Sequence, residues 1–298
     1  MVVYIDKGFA IQFYTELLKT YSLDNSRENI ESTNRLFDLF SKFPDLEIYS
    51  DVSQVEKPEI KLFSFLLNFN AQIRTKEQFL FDLRRPIQHL HLLAFTTMVH
   101  EWSEEFENKG GLYFTLDDYF KKINEILSLE KTIRFKDLQK PFSWKDISSV
   151  SLLPADRVLL IDNYVLSSDS KINNNLFPII RILSRIKSSA FKLDLFVDEN
   201  KLGWSKIDWQ KFESKIQDFQ DDEEIDFDFK VIRYSSKNGR NRYDFHDRRL
   251  FLRYIKIEVG KGFDLLPYNH EVINDKKVIV GTIFTKDTYD DFRSYYLV

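Results

Sequence analysis

The chain has no cysteine, and only five histidines, eight glycines and two methionines among its 298 residues. The missing thiols exclude disulfides, zinc ribbons and cysteine nucleophiles together, and a cysteine-free chain fits the cytoplasm. No apolar run approaches the roughly 20 residues needed to span a bilayer. Met1-Val2-Val3-Tyr4-Ile5-Asp6 lacks a basic stretch leading into an apolar one, so no secretory leader is expected. Phosphate-loop, nucleophile-elbow and dinucleotide fingerprints are all missing. The net charge of −4 rules out a globally basic nucleic-acid binder while leaving room for a local patch.

Aromatic residues are abundant, led by 28 Phe, and with 43% hydrophobic residues the chain can bury a large core. Its length suits two domains of ordinary size. Charge is segregated near the C-terminus. Residues 218–228 carry Asp218, Asp221, Asp222, Glu223, Glu224, Asp226 and Asp228 with no basic residue, while residues 230–262 carry ten Lys or Arg against Asp244, Asp247 and Glu258. The acidic run reads as a solvated loop. The basic run has two explanations, a phosphate-bearing partner or pairing with the acidic run.

Spacing of apolar residues divides the chain into two α/β sets. Before residue 145 it predicts strands over 2–5, 46–49 and 90–96. Helices are predicted over 9–21, 34–43, 62–73, 100–107 and 116–127. The stretch 129–153 is less regular and reads as the boundary, giving domains of 1–145 and 155–298. After it come a strand over 157–161 ending in Asp162, a helix over 173–186, a strand over 191–197 and a helix over 204–219. Strands over 229–234, at His246, over 254–259 and over 278–285 complete the set. Parallel strands in this order place ligands beyond their carboxyl ends, where Asp162 and the 235–246 loop should sit.

The order of short signals in the second set is Asp162-x-Tyr164, Tyr234-Ser235-Ser236, His246-Asp247-Arg248 and Gly260-Lys261-Gly262-Phe263-Asp264. Over residues 155–285 this resembles the C-terminal domain of proteins that carry a microtubule-interacting-and-trafficking domain. The resemblance implies a phospholipase-D-like fold, a mixed sheet flanked by helices. It also implies a homodimer that binds acidic phospholipid headgroups without catalysis. The chain shows no trafficking-domain helix bundle, so that family's cellular role does not carry over. True phospholipase D enzymes use His-x-Lys followed by Asp; here Arg248 stands in place of the Lys and Arg253 in place of the Asp.

His246 and Arg248 lie two apart and share a strand face, with Arg249 and Arg253 on the other. An imidazole beside a guanidinium suits a phosphodiester. The His would attack phosphorus or move a proton, and the Arg would neutralise the non-bridging oxygens. The alternative is a strand-end histidine bonded to Asp162 or Asp247 that reacts with nothing. Gly260-Lys261-Gly262 either lets backbone approach an anion or makes an ordinary turn. Asp162 either orients His246 or caps the next loop. In the first half, Asp6, Glu101, Glu104, Asp117 and Asp118 resemble the Mg²⁺-binding acids of PIN-like nucleases, although Asp117-Asp118 equally suits a helix start. His89 and His91 share a strand face without further ligands.

The leading expectation is recognition of a phosphate-bearing ligand, nucleic acid before phospholipid, in a bacterial phage-defence or mobile-element setting. Arg248 and Asp162 would form the site with His246, and Lys261, Gly260, Gly262, Tyr164 and Ser235 would line it. No metal or cofactor is expected. The alternatives are a phosphodiesterase or nuclease using His246 and Arg248, and a protein-interaction module.

Overall fold

The computed structural model describes residues 1–20, 27–42, 46–68, 72–84, 91–155, 157–186, 191–198, 209–234, 248–260, 262–266, 276–285, 288 and 291. The chain divides into two units, Met1–Glu130 with Thr282–Val298, and Lys131–Gly281. The division falls at Glu130–Lys131 rather than between residues 145 and 155, and the C-terminal residues return to the first unit.

The first unit is built on strands β1 (Val2–Ile5), β2 (Glu47–Ser50), β3 (Gln72–Thr75), β4 (Leu92–Thr96) and β5 (Leu112–Thr115), with helices α1 (Lys7–Thr20), α2 (Arg27–Lys42), α3 (Lys61–Leu67), α4 (Lys76–Leu83), α5 (Ser103–Asn108) and α6 (Tyr119–Leu127). The strands pair in the order β3-β2-β1-β4-β5, and each neighbouring pair is parallel. Helices pack on two sides, as parallel sheets require. Phe9 and Phe13 of α1 stack on each other and meet Phe95, Phe37 and Tyr119. A second cluster gathers Tyr4, Tyr49, Phe79, Trp102, Phe106 and Tyr113 with Leu83. The order reverses between β1 and β4, so Asp6 leaves β1 at the topological switch point.

The helix expected over 62–73 is two elements, α3 and then the strand β3. A short apolar run does not reveal its own period. Here pairing with β2 claims Ile73, opposite Ile48.

The second unit contains β6 (Lys131–Arg134), β7 (Arg157–Ile161), the short helix α7 (Asp169–Lys171) running through a π-helical turn (Ile172–Leu176) into α8 (Phe177–Leu183), β8 (Phe191–Asp198), α9 (Trp209–Glu223), β9 (Phe227–Tyr234), β10 (Arg248–Phe251), β11 (Ile255–Val259) and β12 (Lys277–Thr282). They form one seven-stranded sheet, β6-β12-β11-β10-β7-β8-β9. β7, β8 and β9 are mutually parallel; β10 runs antiparallel to β7 and β11. α8 and α9 cover one face together, and Phe177 stacks on Phe219 at 4.1 Å.

The stretch 129–153 is part of the second unit. β6 pairs with β12, and Phe135, Phe142, Trp144, Ile147 and Val150 are buried. Its aromatic residues had to be covered, and a capping box of Ser143 and Asp146 starts the 3₁₀ helix that carries them. Most of the acidic run is not loop either, only Glu224 and Asp226 lying in the turn between α9 and β9. Asp218 to Glu223 complete α9 and Asp228 lies in β9, because Phe219 and Phe227 are core residues and draw their acidic neighbours into regular structure.

Candidate functional site

Register brings the described members of the sequence signals together at one edge of the seven-stranded sheet. Because β7, β8 and β9 are parallel, their exits share that edge. Arg249 pairs with Ile161, the last residue of β7, so the antiparallel β10 begins there. Arg248 pairs with Val259, which places the exit of β11 beside it. Asp162, Tyr164, Arg248, Gly260, Gly262 and Asp264 therefore meet where four strands leave and one begins.

Asp162 organises this edge. It is 1% exposed. Its Oδ1 accepts hydrogen bonds from the backbone N–H groups of Tyr164 and Val165, and its Oδ2 accepts one from Phe263 N at 2.6 Å. It thus pins the turn after β7 to the turn after β11. Burial pushes its pKa up from the ordinary aspartate value, against the three backbone donors that favour the charged form, with the nearby Asp264 adding to the rise. Of the two readings of Asp162, the loop-capping one describes these bonds. Asn163 makes the matching link sideways, its Oδ1 accepting Asp198 N from the end of β8.

Gly262 has φ of +112°, and a Cβ there would lie 2.8 Å from Asp264 Oδ1 and 3.0 Å from Asp162 Oδ2. A Cβ on Gly260 would meet nothing within 4 Å, so only the second glycine of the pair answers to geometry. Lys171 Nζ donates to Asp264 Oδ2 at 2.7 Å, tying the start of the α7–α8 helix to the same turn. Behind it the π turn aims Asn175 inward. Its Oδ1 accepts from Trp144 Nε1 and Leu266 N, and its Nδ2 donates to Leu266 O. Such turns recur at functional positions because they displace one side chain from helical spacing.

Arg248 is half-buried, and its guanidinium carbon lies 5.1 Å above the centre of the Tyr164 ring. The stacking fixes a planar cation at the edge, and a guanidinium held this way suits a phosphate or the plane of a base. Its sequence neighbours are engaged otherwise. Arg249 Nε lies 3.8 Å from Glu258 across the hairpin. Arg253 is 2% exposed, buried at the β10–β11 turn, so it is removed from any phosphate-contacting surface. Alternation assigned Arg253 a face but not its depth. The acidic run finds cations outside the basic run, Glu223 with Arg181 and Asp228 with Lys192.

His246, Ser235 and Lys261 lie outside the described residues, as do Ser236, Asp247 and His89. Sequence reasoning passed over Lys171 and Asn175; the triple Asn173-Asn174-Asn175 at the head of an otherwise apolar helix was the available signal for the latter.

In the first unit, Asp6 behaves as a cap and brace. Its Oδ1 accepts from Phe9 N and Thr97 Oγ1, and its Oδ2 from Thr97 N, with His100 Nε2 3.5 Å away. Asp118 Oδ1 accepts from Thr115 N in the turn before α6, and its other oxygen pairs with Lys122 one helical turn on at 2.9 Å, so local partners hold it although it caps no amide of the helix. Glu101, Glu104 and Asp117 are exposed, and His91 is fully buried. Among the described residues no group of three or more His, Asp or Glu is arranged to hold a metal, and no helix is long and apolar enough to cross a membrane. Comparison with known proteins gives no match, neither to a family model nor to a curated sequence.

Proposed function

We propose that the protein recognises a phosphate-bearing ligand, nucleic acid rather than phospholipid, at the carboxyl edge of its seven-stranded sheet. In this reading the second unit is a phospholipase-D-like domain acting as a homodimer, and the setting is a bacterial phage-defence or mobile-element system. The observation that carries the reading is the Arg248 guanidinium stacked on Tyr164 beside the Asp162-braced turn, whose Gly262 keeps the backbone clear of a Cβ. A fixed planar cation at convergent strand ends is a phosphate-recognition device.

Nucleic acid is favoured over a membrane surface by what the edge holds. The Arg248 guanidinium over the Tyr164 ring offers planes on which a base can stack, which a phospholipid headgroup does not use.

The test measures binding of a polynucleotide and of anionic phospholipid vesicles across a salt series. Polynucleotide binding should weaken steeply with salt, because each neutralised phosphate releases condensed counterions. Arg248→Ala should weaken it about tenfold and reduce the salt slope by about one unit. Arg248→Lys should not restore it, since an ammonium does not reproduce the stacked plane. Vesicle binding without polynucleotide binding, or an Arg248→Ala variant indistinguishable from the native protein, would refute the proposal.

A further inference from the structure

A second arginine–aromatic pair lies along the same edge, on residues that no sequence signal singled out. The carbon at the centre of the Arg233 guanidinium sits 4.8 Å above the Trp209 ring. Arg233 is the penultimate residue of β9, so it stands at the carboxyl end of that strand, and Trp209 opens α9. Arg233 is exposed and Trp209 half-buried.

The helices on this side of the sheet carry further cations. Asp169, at the start of α7, lies 3.7 Å from Lys211 and 3.1 Å from Lys215 of α9, so two cations surround one carboxylate. The heads of both helices are thereby joined along one side of the edge. These ion pairs are partly or largely exposed, and such pairs contribute little on their own. A phosphate can take over either lysine at small cost. Arg248 stands on β10 and Arg233 on β9, with β7 and β8 between them. At the usual strand spacing that puts the two arginines about 14 Å apart at the level of the sheet, the length of about four stacked nucleotides.

Building on the phosphate-recognition reading, we infer that the ligand is a single-stranded polynucleotide lying across the ends of β7, β8 and β9. Arg248–Tyr164 and Arg233–Trp209 are its two stacking stations, and Lys211 and Lys215 contact the phosphates between them. Guanidinium planes and aromatic rings accept the exposed face of an unpaired base, whereas a duplex hides those faces inside its stack. Cations alternating with aromatic side chains are how sequence-tolerant single-strand grooves are made. A duplex reader needs a helix or ribbon to enter a groove; this edge offers strand exits and the first turns of helices.

The experiment measures fluorescence anisotropy of a labelled oligothymidylate of about 20 nucleotides, and of a mixed-sequence duplex of equal length, titrated with the full chain. The single strand should bind at least about tenfold tighter than the duplex. Trp209→Ala should weaken single-strand binding about tenfold, with Trp209→Phe retaining most of it. Because Arg233 is exposed, Arg233→Ala should leave thermal unfolding unchanged and still weaken binding, which keeps the test sound if Trp209→Ala proves unstable. Equal affinity for duplex and single strand, still sensitive to Arg248→Ala, would overturn this inference and leave the broader proposal standing. A folded Arg233→Ala protein that binds the single strand like the native chain would overturn it in the same way. Failure to bind either nucleic acid would overturn both.

Discussion

Gly262 shows how a short motif divides between backbone need and chemistry. Its positive φ and the two carboxylate oxygens crowding its missing Cβ make any larger residue costly. Gly262→Ala should therefore lower stability by about 1–3 kcal/mol, the usual cost of holding a side chain in such backbone. Chemical denaturation would read this as a lower midpoint at unchanged slope; an unshifted midpoint would mean that the turn relaxes freely. Asp162 was visible in the sequence as a residue ending an apolar strand, because strand ends are where polar residues become tolerable. Its local donors, Tyr164 and Val165, answer to the loop-capping reading, but its third was not visible, since Phe263 lies 101 residues away and only register brings it there. For Arg253 the burial was what the sequence left open. Alternation along a strand predicts a face, but the chain turns between β10 and β11 and buries the guanidinium. Arg233 and Trp209 went unnoticed because neither belongs to a motif and their pairing depends on α9 lying over β9.

Elements were legible where one period dominated. β7 follows from a short continuous apolar run, as a buried parallel strand should, the β10–β11 hairpin from apolar alternation, and α2 from apolar residues at helical spacing. The C-terminal end of α9 and the α3–β3 pair were not, because charge content and mixed periods hid them. Acidic residues were read as solvent-loving, yet a helix keeps them exposed while Phe212, Ile216 and Phe219 pack inward.

The tie between α1 and the segment after β2 gives a test at this scale. Glu56 accepts from Lys7 Nζ at 2.6 Å and from the Ser53 hydroxyl at 2.7 Å, while Lys7 N donates to Asp51. The Lys7 and Ser53 bonds lower the Glu56 pKa from 4.5 to about 2. A folded-state pKa below the unfolded one means that the ionised carboxylate favours folding. That contribution is complete above about pH 4.5 and is lost as pH falls through about 2. Glu56→Gln should flatten the fall in stability across this window and leave the slope above pH 5 unchanged. Thermal melts of both proteins from pH 2 to 6 would show it, and an identical acid limb would mean that the tie does not contribute.

At the scale of the molecule, two sheets were foreseeable from two alternating sets of elements, but the path of the chain was not. Composition gave no hint that residues after β12 rejoin the first unit, because the decisive contacts connect positions far apart. Thr282 Oγ1 and Thr285 Oγ1 both donate to Glu130, Arg35 donates to Phe284 O, and Ile283 and Phe284 are fully buried. The first unit is thus closed by a segment separated from its main body by the whole of the second. A chain ending at residue 281 should lose the burial of Ile283 and Phe284, worth about 3–6 kcal/mol together, and the loss should fall on the first unit. Hydrogen exchange would then quicken in β1, β2 and β4 while β7, β8 and β10 keep their protection, because the removed segment supplies no strand to the second sheet beyond Thr282. Uniform loosening of both sheets would show that the units unfold as one, and unchanged exchange in the first would show that the returning segment is not what closes it.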